Sequence, residues 1–498
     1  MSNAQSPNDL ALLSVAEMSR ADRAAVAIGV AGRTLMENAG AAIAQQIVSR
    51  WRQRPVAVLS GPGNNGGDGF VVARLLKEAG WPVRLALLGE RKRLKGDAEL
   101  MAERWSGPIE LPTPAILEDA GLIVDALFGA GLTRPLEDAS RLLIEAAGET
   151  GAPIVAVDMP SGVLGDTGAV LGAGQGVAAQ ATLSVTFFRR KPGHLLLPGR
   201  LLCGEVITAD IGIPDSVLAE IAPKQHENGP SLWREHFPWP SLDDHKYSRG
   251  HVIIAGGEAM TGAARLAARG AMRIGAGMVS IASPPSATAI YAAAMPGVLV
   301  TPVARPVDFV SLLGDRRISA ILVGPGNGAS DTTRAHALAA LGTRRPVILD
   351  ADALNVFEGD PQALAFSIRG PCVLTPHEGE FARLFSHLGG QFQGSKLERA
   401  RAAAALTGAV VVLKGADSIV AGPDGQANIA TNAPPTLATA GAGDVLAGMI
   451  LGLMGQGMPP FAAASASVWL HGAAASEFGP GLIAEDLPEQ LPGVLHGL

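Results

Sequence analysis

Residues 60–70 read SGPGNNGGDGF, set between the apolar run PVAVLS (55–60) and the helix-like stretch VVARLLKEAG (71–80). Strand, glycine loop and helix in that order form the repeating unit of a parallel α/β sheet, because a helix must carry the chain back before the next parallel strand begins. Gly61, Gly63 and Gly66 satisfy G-x-G-x-x-G, and unpaired N–H groups at a helix start suit a phosphate. Pro62 and the Asn64-Asn65 pair depart from the plain dinucleotide fingerprint, and no Gly-Lys-Ser/Thr follows, which excludes a Walker loop. Asp68 is an awkward carboxylate in such a cradle. It is expected to face the following helix start or substrate hydroxyls, while the N–H groups of Asn64, Asn65, Gly66 and Gly67 take the phosphate.

Similar units continue on both sides. PVRLALL (82–88), LIVDALF (122–128) and PIVAVD (153–158) read as buried strands, with SRLLIEAAGETG (140–151) as a helix between them. Ser14 with Glu17 and Thr34 with Glu37 match the capping-box spacing, so a helix is expected to start at each. Around 223–244 the pattern breaks into a stretch rich in Pro, His, Trp and charge, the expected linker. A second strand–helix series follows with HVIIAGG (251–257), AILVGPGNG (320–328), PVILDADALN (346–355), PCVLTPHEGE (371–380) and VVVLKGADSIVAG (410–422). Two α/β domains are therefore expected, at 1–222 and 245–498, each three-layered αβα.

At 498 residues the chain is too long for a single core, and with 48% hydrophobic and 17% charged residues it has ample material for two. The 62 glycines and 35 prolines are scattered singly between apolar runs, as tight βα turns require. A net charge of −7 argues against nucleic acid or an anionic membrane as partner. The start MSNAQSPNDL has neither a basic end nor an apolar core, so no leader is expected. Pro459 and Pro460 break the apolar region 445–475 into two expected packed helices rather than a span. Two cysteines, Cys203 and Cys372, make no disulfide framework, and a soluble cytoplasmic protein is expected.

Chemistry-bearing residues gather at the strand ends. Asp125 ends one strand and is followed by Gly129, Ala130, Gly131, Leu132, Thr133, Arg134 and Pro135, with Arg134 a natural phosphate ligand. Asp158 ends the next strand, with Ser161 three residues on. In a parallel sheet the carboxyl ends of strands share one edge, so these groups can converge. In the second half, Gly441, Ala442 and Gly443 can open a helix whose N–H groups hold an anion, with Asp444 in its first turn. That pairing suits phosphoryl transfer, the aspartate accepting the proton of an acceptor hydroxyl; equally, Asp444 can serve only as partner to the helix dipole.

The motifs LMENAG (35–40), GPGNNGGDG (61–69), DALFGAGLTRP (125–135), VDMPSG (157–162) and TFFRRKPG (186–193) resemble the epimerase module of bifunctional NAD(P)H-hydrate repair enzymes. KYSRGHVIIAGG, TGAARLAARGAMRIGAGMV, VGPGNG, DADALN, TPHEGEF and KGADS resemble the ribokinase-like superfamily, specifically its ADP-dependent NAD(P)H-hydrate dehydratase branch. The resemblance implies an N-terminal Rossmann-like epimerase and a C-terminal ribokinase-like dehydratase. It implies that Asn64 to Asp68, Gly129 to Pro135 and Asp158 bind NADHX or NADPHX, with potassium on Asn65, Asp125 and Ser161. In the second domain it implies that Ala263, Gly326, His377 and Asp444 contact the hydrate, and that Lys414, Gly415, Ala416, Asp417, Ser418 and Gly443 hold ADP, with magnesium on its phosphates. Asp158 is the expected acid/base of epimerisation and Asp444 the base of dehydration, in a homo-oligomer. Three positions depart from the family pattern: Thr375, Asn327 and Ser418. The alternatives are a small-molecule kinase of vitamin-precursor type with an N-terminal dinucleotide-binding regulator, and a first domain that only mediates interactions.

Overall fold

Strands that are buried along their whole length form the centre of each half, as expected of parallel sheets covered on both faces. The structure, a computed structural model, describes residues 6–172, 174–392 and 394–498. It divides into two compact units, one of Ala11–Gln225 and one of His226–Leu498 joined by the residues through Leu10.

In the smaller unit six parallel strands lie in the order Val83–Leu87, Val56–Ser60, Leu122–Ala126, Ile154–Val157, Leu183–Phe187 and Glu205–Ala209. The chain order reverses at Val56–Ser60, so the crevice between its end and that of Leu122–Ala126 is the topological switch point, where α/β sheets bind ligands. The helix after SGPGNNGGDGF runs Asn64–Glu78. The first expected capping box is present: Ser14 Oγ accepts the Glu17 N–H, and Glu17 accepts the Ser14 N–H. The second is not. The helix Gly32–Arg50 begins before Thr34, which is interior, and Glu37 is drawn instead into ion pairs with Arg74 and Arg104.

In the larger unit the strands run Ala427–Ile429, Ile419–Ala421, Val410–Leu413, Cys372–Leu374, Val347–Leu349, Ile318–Val323, His251–Ala255, Met278–Ser283 and Leu299–Pro302. The pairings from Val410–Leu413 onward are parallel, and the first three strands pair antiparallel. Helices Ala442–Gly455 and Pro460–Phe478 are the two expected from the apolar region 445–475. Most of the segment expected as a linker belongs to this unit. Trp233 and Phe237 are buried in its core, and Trp233 lies 6.0 Å from the Trp469 ring. Its polar composition hides two aromatic anchors that bury well over an exposed spacer's share of apolar surface. Both cysteines are buried and unpaired, and among the described residues no helix is long and apolar enough to cross a membrane.

Candidate functional sites

In the smaller unit a cleft of about 980 Å³ opens over the switch point. Asn64, Asn65, Asp68, Gly129 to Arg134 and Asp158 all line it, as does Lys191 from the strand Leu183–Phe187 and its following loop. Gly66, Gly67 and Pro135 do not. A Cβ on Gly66 would stand 1.9 Å from the Gly61 carbonyl oxygen, so this glycine lets loop and helix touch. The Gly67 N–H is already donated to the Gly63 carbonyl at 3.1 Å, which removes it from the expected phosphate cradle. Gly66→Ala is expected to cost about 1–3 kcal/mol, whereas Gly63→Ala, with open space around it, should stay within about 0.5 kcal/mol. Equal denaturation midpoints for the two would refute this packing role.

Asp158 is held by three donors: Lys191 Nζ at 2.5 Å and Thr186 Oγ1 at 2.8 Å to Oδ1, and the Ala130 N–H at 3.2 Å to Oδ2. Its φ of +64° is a left-handed conformation that a non-glycine residue adopts only when its surroundings impose it. Burial alone would push its carboxyl up, but Lys191, His194 and the hydrogen bonds outweigh that and bring it down to about 2. Asp68 is the opposite case. It sits in the fifth position of its helix, 8% exposed, with no side-chain hydrogen bond or ion pair among the described residues, and so caps nothing. Burial, reinforced by Asp158 and Asp22, pushes its carboxyl well above the ordinary range. Two carboxyls in one cleft are thus pushed in opposite directions, Asp158 down by Lys191 and His194 and Asp68 up by burial.

Asp125 and Ser161 meet beside the cleft. The Ser161 N–H and Oγ–H donate to Asp125 at 2.8 and 2.6 Å, and the Leu127 N–H donates at 3.3 Å. Asp125 is fully buried and makes no ion pair among the described residues, so its charge has no protein counter-ion. Burial raises its carboxyl and these hydrogen bonds pull part of the way back. Among the described residues no three His, Cys, Asp or Glu cluster as a transition-metal set would. Carboxylate, hydroxyl and amide oxygens instead match a hard cation. The side-chain nitrogen of Asn65 is buried without a partner, a donor left for a ligand.

In the larger unit the site gathers at the carboxyl ends of the strands His251–Ala255, Ile318–Val323, Val347–Leu349, Cys372–Leu374 and Val410–Leu413. A Cβ on Gly326, at φ +69°, would lie 3.2 Å from the Ala263 Cβ, so these two expected substrate contacts adjoin. Asn327, one of the family departures, pins this loop: its Oδ1 accepts the Gly324 N–H at 2.7 Å and its Nδ2 donates to the Ala255 carbonyl at 2.8 Å. His377 caps the helix Glu378–Leu384, its Nδ1 accepting the Gly379 and Glu380 N–H groups at 2.9 and 3.3 Å. The Lys414 N–H donates to the Pro376 carbonyl, which fixes the two strand ends side by side.

Lys414 Nζ reaches Asp350 at 2.9 Å and Glu380 at 3.9 Å, and lies 3.5 Å from where a Gly443 side chain would begin. Burial works against its charge, but Asp350 and Glu380 outweigh it and hold the ammonium above its ordinary value. Gly441, at φ +89°, opens the helix Ala442–Gly455. Asp444 in its first turn is pushed up to about 7, first by burial, then by Asp350, with Lys414 pulling the other way. In the loop 414–418, Ser418 Oγ donates to the Gly415 carbonyl and Asp417 pairs with Lys396 at 2.7 Å. Lys191, Asp350 and Glu380 carry no assignment from sequence. Their signal was present in TFFRRKPG, DADALN and TPHEGEF, but only the fold shows that Lys191 meets Asp158 and that Asp350 and Glu380 meet Lys414.

Fold and sites together define an α/β chain with two candidate sites, each at the carboxyl edge of its own sheet. Residues 251–491 match the family model described as NAD(P)H-hydrate dehydratase, and residues 32–193 the one described as YjeF-related protein N-terminus. The chain belongs to the bifunctional NAD(P)H-hydrate repair enzyme family. It is 36% identical to the bifunctional NAD(P)H-hydrate repair enzyme of Moorella thermoacetica, covering 98% of this chain and 97% of that one. It is 37% identical to the Salinibacter ruber enzyme, over 97% and 96% of the two chains, and 34% identical to that of Escherichia coli, over 96% and 93%. Among solved structures, the Bacillus subtilis ADP/ATP-dependent NAD(P)H-hydrate dehydratase, co-crystallised with ATP and Mg²⁺, aligns at 31% identity with a TM-score of 0.48, over 54% of this chain and 97% of that one.

Proposed function

We propose that the chain repairs hydrated nicotinamide dinucleotides, the smaller unit interconverting the R and S hydrates and the larger unit dehydrating the S form with ADP. The observation that carries this reading is Asp444, a half-buried carboxyl pushed up to about 7, in the first turn of a glycine-opened helix and beside the Lys414 ammonium. Family membership does not favour the plain kinase alternative.

In the smaller unit, the substrate hydroxyl sits on C6, next to the ring nitrogen. Protonated Asp68 donates to that hydroxyl as the nitrogen lone pair breaks the C–O bond, releasing water and leaving a planar iminium carbon. Ionised Asp158, oriented by Lys191 and Thr186, stabilises the developing positive charge, a role in place of the proton carrier expected from sequence. Water then adds to either face and returns its proton to Asp68, which balances the step. Asn64, Asn65 and Arg134 hold the phosphates. Asn65, Asp125 and Ser161 hold potassium, which neutralises Asp125 and fixes the neighbouring loop.

In the larger unit, Asp444 takes the proton of the C6 hydroxyl as the β-phosphoryl of ADP is transferred to it. Gly441, Ala442 and Gly443 stabilise the moving phosphoryl, and Lys414 to Ser418 hold the nucleotide. The ring nitrogen then expels phosphate, and the C5 proton passes to water, giving NAD(P)H beside AMP. Ala263, Gly326 and His377 place the ring. Magnesium supplies charge neutralisation on the ADP phosphates. The active form is a homo-oligomer in the cytoplasm.

Incubating the full chain with the S hydrate and ADP tests this: NAD(P)H, AMP and inorganic phosphate are expected in equal amounts. A stable phosphorylated product would overturn it.

A further inference from the structure

A second cleft, of about 710 Å³, lies in the larger unit and is used by none of the residues above. One wall is the helix Thr261–Arg273, which presents Arg265, Arg269 and Arg273 at intervals of four residues. That spacing stacks them on one face, roughly 6 Å apart along the axis. Glu489 binds both Arg269 and Arg273 and holds their guanidinium groups in place. Arg265 makes no hydrogen bond or ion pair among the described residues, although it is only partly exposed. Three arginines face two glutamates, Glu485 and Glu489, so the cleft carries surplus positive charge.

The cleft begins where the anion cradle ends. Gly262 and Leu266 line it, and the Leu266 side chain lies against Gly441: a Cβ there would come within 2.6 Å of Leu266 Cδ1. A hydrated dinucleotide whose ring reacts at Asp444 must send its pyrophosphate and adenosine half somewhere, and the loop 414–418 is taken by ADP. Guanidinium is the side chain best suited to a bidentate grip on phosphate. The volume also falls in the range of sites that enclose part of a nucleotide-sized ligand.

We infer that the cleft along the Arg265–Arg269–Arg273 face binds the pyrophosphate-bearing AMP half of the hydrate substrate, with Arg265 as its anchor. This rests on the dehydratase reading above. The full chain is assayed with ADP and the S hydrates of NADH and of reduced nicotinamide mononucleotide, which lacks the AMP half. Arg265→Gln is expected to raise KM for the dinucleotide hydrate about tenfold, the loss of one charge-assisted hydrogen bond. KM for the mononucleotide hydrate and for ADP should stay the same, and Arg265→Lys should recover part of the loss. An unchanged KM for the dinucleotide, or an equal rise for both substrates, overturns the assignment. Failure of the wild type to dehydrate either substrate would instead remove the functional reading beneath it.

Discussion

Asp444→Asn is expected to lower the rate of ADP-driven dehydration by about 100-fold or more, the contribution of a positioned general base. The amide keeps the size and cannot take the hydroxyl proton. The pH profile separates this from a structural role. With its carboxyl at about 7, the wild type is mostly protonated at lower pH, so kcat/KM should fall as pH drops through 7 and level off above it. The variant's residual rate should lose that dependence. KM for ADP should change little, since Lys414 keeps its partners Asp350 and Glu380. If Asp444 served only the helix dipole, the same change would leave the rate intact and cost a few tenths of a kcal/mol of stability, up to about 1 kcal/mol. A flat rate in Asp444→Asn would therefore refute the base.

Asp68→Asn should slow interconversion of the R and S hydrates by about 100-fold or more, while dehydration of supplied S hydrate proceeds as before. Interconversion is best followed in an Asp444→Asn background, where product formation does not drain the S form. Stability gives an independent readout. A carboxyl raised on folding favours the native state below its ordinary value, and that contribution is lost as pH climbs toward the folded value. At neutral pH the wild type therefore bears the cost of a buried carboxyl that the unfolded chain ionises freely. Asp68→Asn should be more stable there and lose that pH dependence. A normal epimerisation rate with raised stability would leave Asp68 a strained packing residue and nothing more.

Central strands were legible in the sequence because they are mostly apolar and buried along their whole length; Val56–Ser60 and Leu122–Ala126 are examples. Glu205–Ala209 was not, since it is half-exposed and its residues alternate without a strong apolar face. Thr34 illustrates a different failure: the capping spacing was right, but tertiary ion pairs claimed Glu37. At the sites, sequence placed Asp68 and Asp158 in one crevice but could not order their acidities. That order depends on Lys191, which sits 33 positions from Asp158 yet bonds to it directly. Asp350 was likewise quoted within a motif, and only the meeting of strand ends makes it the neighbour of Lys414.

His377 carries a last consequence. Because its Nδ1 lone pair is committed to the N–H groups that begin its own helix, the ring proton must reside on Nε2 while that cap is intact. The Nε2 side of the ring, 3.4 Å from Glu380 Oε1, can then only donate. It can recognise a carbonyl oxygen, such as that of the nicotinamide carboxamide, and it cannot draw a proton from C5 of the ring. A helix cap thereby fixes the tautomer, and with it His377 becomes a reader of the substrate rather than a second base.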